Sequence, residues 1–115
     1  MTFYSARLLF VILIDDGKPR KRHDWDEIVV VFRARDFGQA FERALEIGRS
    51  QETEYLNYQQ HKVRWAFAEV ATLDIVGKRV DGVEVASRLF SHQSKEPIPF
   101  NTQFHPENSR PSQSF

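Results

Sequence analysis

Lys62 to Val76 reads KVRWAFAEVATLDIV, and its alternation limits what the chain can fold into more than any other stretch. Val63, Trp65, Phe67, Ala71, Leu73 and Ile75 share one parity, while Lys62, Arg64, Thr72 and Asp74 share the other. Side chains two apart on a strand lie on one face, so the run predicts a long strand half buried by its odd residues. Glu69 breaks the pattern, because it lies on the apolar parity between Phe67 and Ala71.

The chain opens on a second apolar run. Phe3 to Ile14 predicts a strand, and Leu8 through Ile14 is apolar on both parities. A strand of that kind is covered on both faces, so it is central in its sheet or buried at a subunit interface. The unbroken run falls far below the ~20 residues that span a bilayer. It has no basic region ahead of it and no small-residue cleavage site after it, so it reads as a strand rather than a signal, and the expected location is cytoplasmic.

Asp15-Asp16-Gly17-Lys18-Pro19 supplies turn chemistry, and Trp25 to Ala34 predicts the second strand, rich in β-branched residues. Asp36 suits a helix N-cap and Gln39, three residues on, completes a capping-box pattern. Phe37, Ala40, Phe41, Ala44, Leu45 and Gly48 then recur at helical spacing, which predicts a helix to about Ser50. Gln51 to His61 reads as an irregular connection anchored by Tyr55, Leu56 and Tyr58. After the long strand, Gly77 to Gly82 is a glycine-bracketed turn and Val83 to Phe90 predicts the last strand. The fold class is therefore α+β in the order ββαββ: a four-stranded, mostly antiparallel sheet with one packed helix. Residues 1–92 form a single domain. Residues 93–115 hold four of the five prolines among Ser, Asn and Gln, a composition of extended or disordered tails.

A chain of 115 residues has room for one core, burying roughly two-thirds of the surface of its unfolded form. Charges balance at 16 against 16, so no global field steers it to nucleic acid or an anionic membrane. The absence of cysteine excludes disulfides and thiolate chemistry. Four strands spaced about 4.8 Å apart make a face roughly 15–20 Å wide. One helix is about 10 Å across and cannot cover it, and nothing in the predicted order is left for the other face. A homodimer packed through the sheet is the expected cover.

Three patches carry a family resemblance. Phe3-Tyr4-Ser5-Ala6-Arg7-Leu8-Leu9-Phe10 opens the chain, Val63-Arg64-Trp65-Ala66-Phe67 with Leu73-Asp74-Ile75 sits in the long strand, and Asp81-Gly82-Val83-Glu84-Val85-Ala86-Ser87-Arg88-Leu89 closes the domain. Together they resemble a family of small stand-alone bacterial proteins catalogued as domain of unknown function 4288, over about residues 3 to 92. Members of that family often have a briefer Phe-to-Asp segment than Phe67 to Asp74, which implies a β-bulge near Glu69. The resemblance implies a compact α+β protein and lends no catalytic residue.

The candidate chemistry is sparse. His23, His61, His92 and His105 show no ligand spacing, so no metal and no cofactor is expected. No serine lies in a nucleophile elbow, the five glycines form no phosphate loop, and no catalytic constellation is visible. Lys18, Arg20, Lys21 and Arg22 could grip phosphates with Trp25 stacking nearby. Asp15, Asp16, Asp24, Asp26 and Glu27 flank them and cancel the field within about a Debye length, ~8 Å at physiological salt. Nucleic-acid binding through that loop is the alternative reading.

Arg7, Glu69 and Arg88 are charges in strands otherwise apolar, and a charge on a buried face is tolerated only when paired. They predict either a structural ion pair or bulge, or a small polar partner site beside Trp65, Tyr4 and Ser87. The expected function is a non-enzymatic interaction module acting as a homodimer, of the immunity- or regulator-partner kind by class analogy.

Overall fold

The computed structural model describes residues 1–85, 91 and 93–111. Its sheet is built from β1 (Thr2–Asp15), β2 (Asp24–Ala34), β3 (Thr53–Leu56) and β4 (Lys62–Gly77), with α1 (Phe37–Ser50) between β2 and β3. The strand order is β2-β1-β4-β3 and every pairing is antiparallel. The α+β class is as the sequence predicts. β1, apolar on both parities, lies between β2 and β4.

Among the described residues the fourth strand of the sheet comes from a segment that the sequence presents as a connection. Residues 83–85 carry no strand, and Ala86–Phe90 lie outside the described residues. Thr53–Leu56 pairs instead with Lys62–Trp65, inside the segment that reads as an irregular connection. The turn between them contains neither Gly nor Pro, the usual signals. Asn57 builds it: its Oδ1 accepts the N–H groups of Gln59 and His61 at 2.9 and 3.0 Å. Its own N–H donates to the His61 carbonyl at 2.9 Å. Gln60 takes the left-handed conformation, φ 64°, where glycine is the usual occupant.

The even residues of β1 face the helix. Tyr4, Ala6, Leu8 and Phe10 form the core with Phe32, Ala34, Ala40 and Ala44, and Ile28, Val30, Ile47, Phe67, Val70 and Leu73 pack against it. The inner stripe of α1 is Ala40, Ala44 and Gly48, one small residue per turn. Small side chains let the helix approach the sheet closely. The large ones stand at its shoulders, where Phe37 and Phe41 remain 58% and 44% exposed. Hydrophobic periodicity finds this face but ranks its members wrongly, because it scores Phe above Ala and cannot see how near the sheet lies.

The N-terminus of α1 follows from its sequence. Asp36 is extended, and its Oδ1 accepts the Gln39 N–H at 2.8 Å. Gln39 Oε1 reaches back to the Arg35 N–H at 2.7 Å, one residue before the cap. One donor of the first helical turn and the N–H of the residue before the cap are thereby satisfied by side chains. Asp36→Ala should lower the unfolding free energy by about 1 kcal/mol, readable in urea titrations, with Asp36→Ser retaining most of it.

Described residues 93–111 hold no strand, are all exposed, and contain a single 3-10 turn at Pro106–Asn108.

Candidate interaction surface

β4 resolves the Glu69 anomaly through its register. Phe10 opposes Phe67 while Leu9 opposes Glu69, so Ala68 is an extra residue; Leu8 opposes Val70 while Arg7 opposes Thr72, so Ala71 is another. Directly opposed residues share a face. The bulge at Ala68 turns Glu69 away from the helix and brings Val70 in, and the bulge at Ala71 returns Leu73 and Ile75 to the odd-inward pattern. Glu69 is exposed on the face remote from the helix.

The predicted polar cluster is distributed by the same geometry. Arg7 lies on the remote face, where its Nη1 donates to Glu27 Oε1 on β2 at 2.5 Å. Glu27 opposes Leu9, one diagonal step from Arg7, a spacing that long side chains span. Trp65 opposes Ile12 and so belongs to the helix-bearing side, apart from Arg7 and Glu69. Ser87 and Arg88 lie outside the described residues. Ser5 is buried and its Oγ donates to the Val85 carbonyl at 2.8 Å, so the chain leaving β4 passes over the remote face at this end of β1.

The basic loop carries its own counterion. Asp16 Oδ2 accepts from Arg20 Nη2 at 2.6 Å and its Oδ1 accepts the Lys18 N–H at 3.1 Å. The Arg20 hydrogen bond, followed by that from the Lys18 backbone, holds the Asp16 carboxyl below its ordinary range. Arg20 is thus committed within the loop, which leaves Lys18, Lys21 and Arg22 beside Asp24 and Asp26. Among the described residues no cluster of three His, Asp or Glu is placed to hold a metal ion, and no helix is long and apolar enough to cross a membrane.

The remote face is the surface the helix leaves uncovered. Along β1 it presents Phe3, Leu9, Val11 and Leu13, all half-buried. Along β2 it presents Trp25, Val29 and Val31, which are 57%, 41% and 42% exposed. The Arg7–Glu27 pair crosses this face between Trp25 and Val29, and at one end stands Arg33, whose guanidinium carbon lies 4.9 Å from the Phe3 ring centroid. Glu27, Val29, Val31 and Arg33 are not among the predicted site residues. Their odd parity in β2 was readable, but the run Ile28 to Phe32 looks uniformly apolar and conceals which members face the helix.

The two edges of the sheet differ. β3 covers only Lys62–Trp65 of β4, and beyond that point the outer side of β4 carries the skipped residues Ala68, Ala71 and Val76. Glu52 Oε2 accepts the Phe67 N–H there at 3.3 Å. A groove of about 390 Å³ between this edge and α1 is lined by Phe41, Leu45, Phe67 and Val70 with Arg49 and Glu69 at its margins. β2, at the other edge, pairs with β1 from Asp24 to Ala34 with no irregularity.

A family model described as domain of unknown function (DUF4288) matches residues 3–87. No curated protein and no solved structure matches the chain.

Proposed function

The chain belongs to the DUF4288 family, and from that premise and the surface just described we propose that it is a non-enzymatic interaction module working as a homodimer joined through its sheet. One observation carries this reading: the remote face places Trp25, Val29 and Val31 in solvent beside the half-buried Leu9, Val11 and Leu13. Apolar side chains gathered on one side of a sheet gain about 25 cal/mol for each Å² removed from water, and contiguous patches of this kind mark interaction surfaces. A second copy supplies the same apolar strip and needs no further gene product. The absence of a convergent catalytic set in the sequence supports a role in binding a specific protein partner rather than in chemistry.

Light scattering on the full chain at tens of micromolar should report twice the 13.5 kDa of one chain. Val31→Glu places a charge in the strip and should shift the population to monomer with the far-UV spectrum unchanged. A monomeric wild-type protein at that concentration would sink the homodimer. Affinity capture from native lysate, with and without nuclease, then tests the partner: a protein retained equally in both supports the module, and retention lost with nuclease favours the basic loop.

A further inference from the structure

We infer that the second copy is seated on the β2 edge: two β2 strands pair antiparallel about a dyad at Val30 and join two four-stranded sheets into one of eight strands. This rests on the homodimer reading and assigns it to the β2 edge, where Val29 and Val31 of the remote-face strip meet the second copy while Leu9 and Val11 on β1 do not.

Strand edges expose unpaired backbone groups, and proteins usually blunt them with bulges, prolines, charged side chains or short strands. The β3–β4 edge shows several of these devices: β3 is four residues long, β4 has three skipped residues, and Glu52 occupies the Phe67 N–H. β2 carries charges at Asp24, Asp26, Glu27 and Arg33, but its eleven residues contain no Pro, Gly or Lys and its register with β1 is unbroken. Exposure on the remote face also rises toward this edge, from half-buried Leu9 and Val11 on β1 to exposed Val29 and Val31 on β2. Among the described residues no strand pairs with the outer side of β2.

The register follows from charge. Asp24, Asp26 and Glu27 lie in the first half of β2, and Arg33 near its end. An antiparallel self-pairing brings the first half of one copy against the second half of the other. With the dyad at Val30, Val29 opposes Val31 of the second copy and Glu27 opposes its Arg33. Both pairs occur twice and both lie on the remote face. On the helix side, Ile28 opposes Phe32 of the second copy. Moving the dyad to Val29 sets Glu27 against a valine and Asp26 against Phe32; moving it to Val31 sets Arg33 against Val29. Of these three registers, only Val30 matches valine with valine and Glu27 with Arg33. Arg7 already donates to Glu27, but a carboxylate has four acceptor positions and accommodates a second guanidinium.

Charge reversal on the full chain tests this. Glu27→Arg and Arg33→Glu should each weaken self-association at least about tenfold, because each creates two like-charge contacts. An equimolar mixture of the two variants should form a heterodimer, and the double variant should recover the homodimer. Singles that dimerise as wild type, or impairment that neither the mixture nor the double variant relieves, overturns the β2 register while leaving the homodimer standing. A monomeric wild type overturns both. Should a charge variant lose its fold, Val30→Cys decides the matter in a chain with no native cysteine. At the dyad the two Cα atoms are about 4.5–5.5 Å apart, within disulfide range. Mild oxidation should cross-link Val30→Cys and not Ile28→Cys; equal yields, or none at residue 30, overturn the register.

Discussion

Leu8→Ala should lower the unfolding free energy by about 3–4 kcal/mol, measured as a fall in denaturation midpoint at unchanged slope. Leu8 is fully buried and, among the described residues, is the largest side chain to be so. It opposes Ile28 on β2 and Val70 on β4, and belongs to the cluster that includes Ala40 and Ala44 of α1. Collapse into the vacated space would need two strands or the helix to shift, and both strands are held by hydrogen-bond ladders to β1. The cavity therefore persists, and its loss of dispersion contacts adds to the transfer term. For a domain whose total stability is of order 5–15 kcal/mol, the change is a large share of the whole. Leu9→Ala is the control. Its side chain is half-buried on the remote face, and a loss of about 1 kcal/mol is expected there. Equal losses at the two positions would contradict the assignment of the core to even residues.

Gly48→Ala should destabilise by about 1–2 kcal/mol, against the direction of helix propensity. In an exposed helix the exchange gains about 1 kcal/mol. Here a Cβ on Gly48 would lie 2.5 Å from two carbons of the Phe67 ring, closer than atoms can approach. The ring cannot simply retreat, since Phe10 lies on it at a centroid separation of 5.4 Å. Overpacking of this kind costs about 1–3 kcal/mol and exceeds the propensity gain. The effect should vanish in a Phe67→Leu background, where space opens beneath residue 48, and a double-mutant cycle would register that coupling. A stabilising Gly48→Ala in the wild-type background would mean that α1 does not approach β4 as closely as described.

Both expectations rest on features of unequal legibility. The capped helix could be read from residues 36–50 alone, because Asp36, Gln39 and the apolar spacing act within a few residues of one another. Two of the strands, β1 and β2, were equally plain, and the apolar run Leu8 to Ile14 located the centre of the sheet. The candidate site was harder. Arg7, a charge in an otherwise apolar strand, pairs with Glu27, which the sequence offers only as one of five acids around a loop. Nothing local distinguishes it. The choice depends on which strand lies beside β1 and in what register.

The alternation of Lys62 to Val76 is the clearest instance of that division. By itself the sequence determined that this stretch is a long strand, that one parity is apolar, and that Glu69 contradicts it. Only the tertiary structure decided the outcome, because a bulge is a relation between two strands: Ala68 and Ala71 are extra residues only when counted against Leu8, Leu9 and Phe10. Those two skips send Glu69 outward and Val70 inward, and they leave β4 an irregular edge. They also make β2 the regular one. Periodicity within a chain segment is a short-range property, whereas register and edge exposure follow from pairings 47 to 74 residues apart in the sequence, from Asp15–Lys62 to Phe3–Gly77.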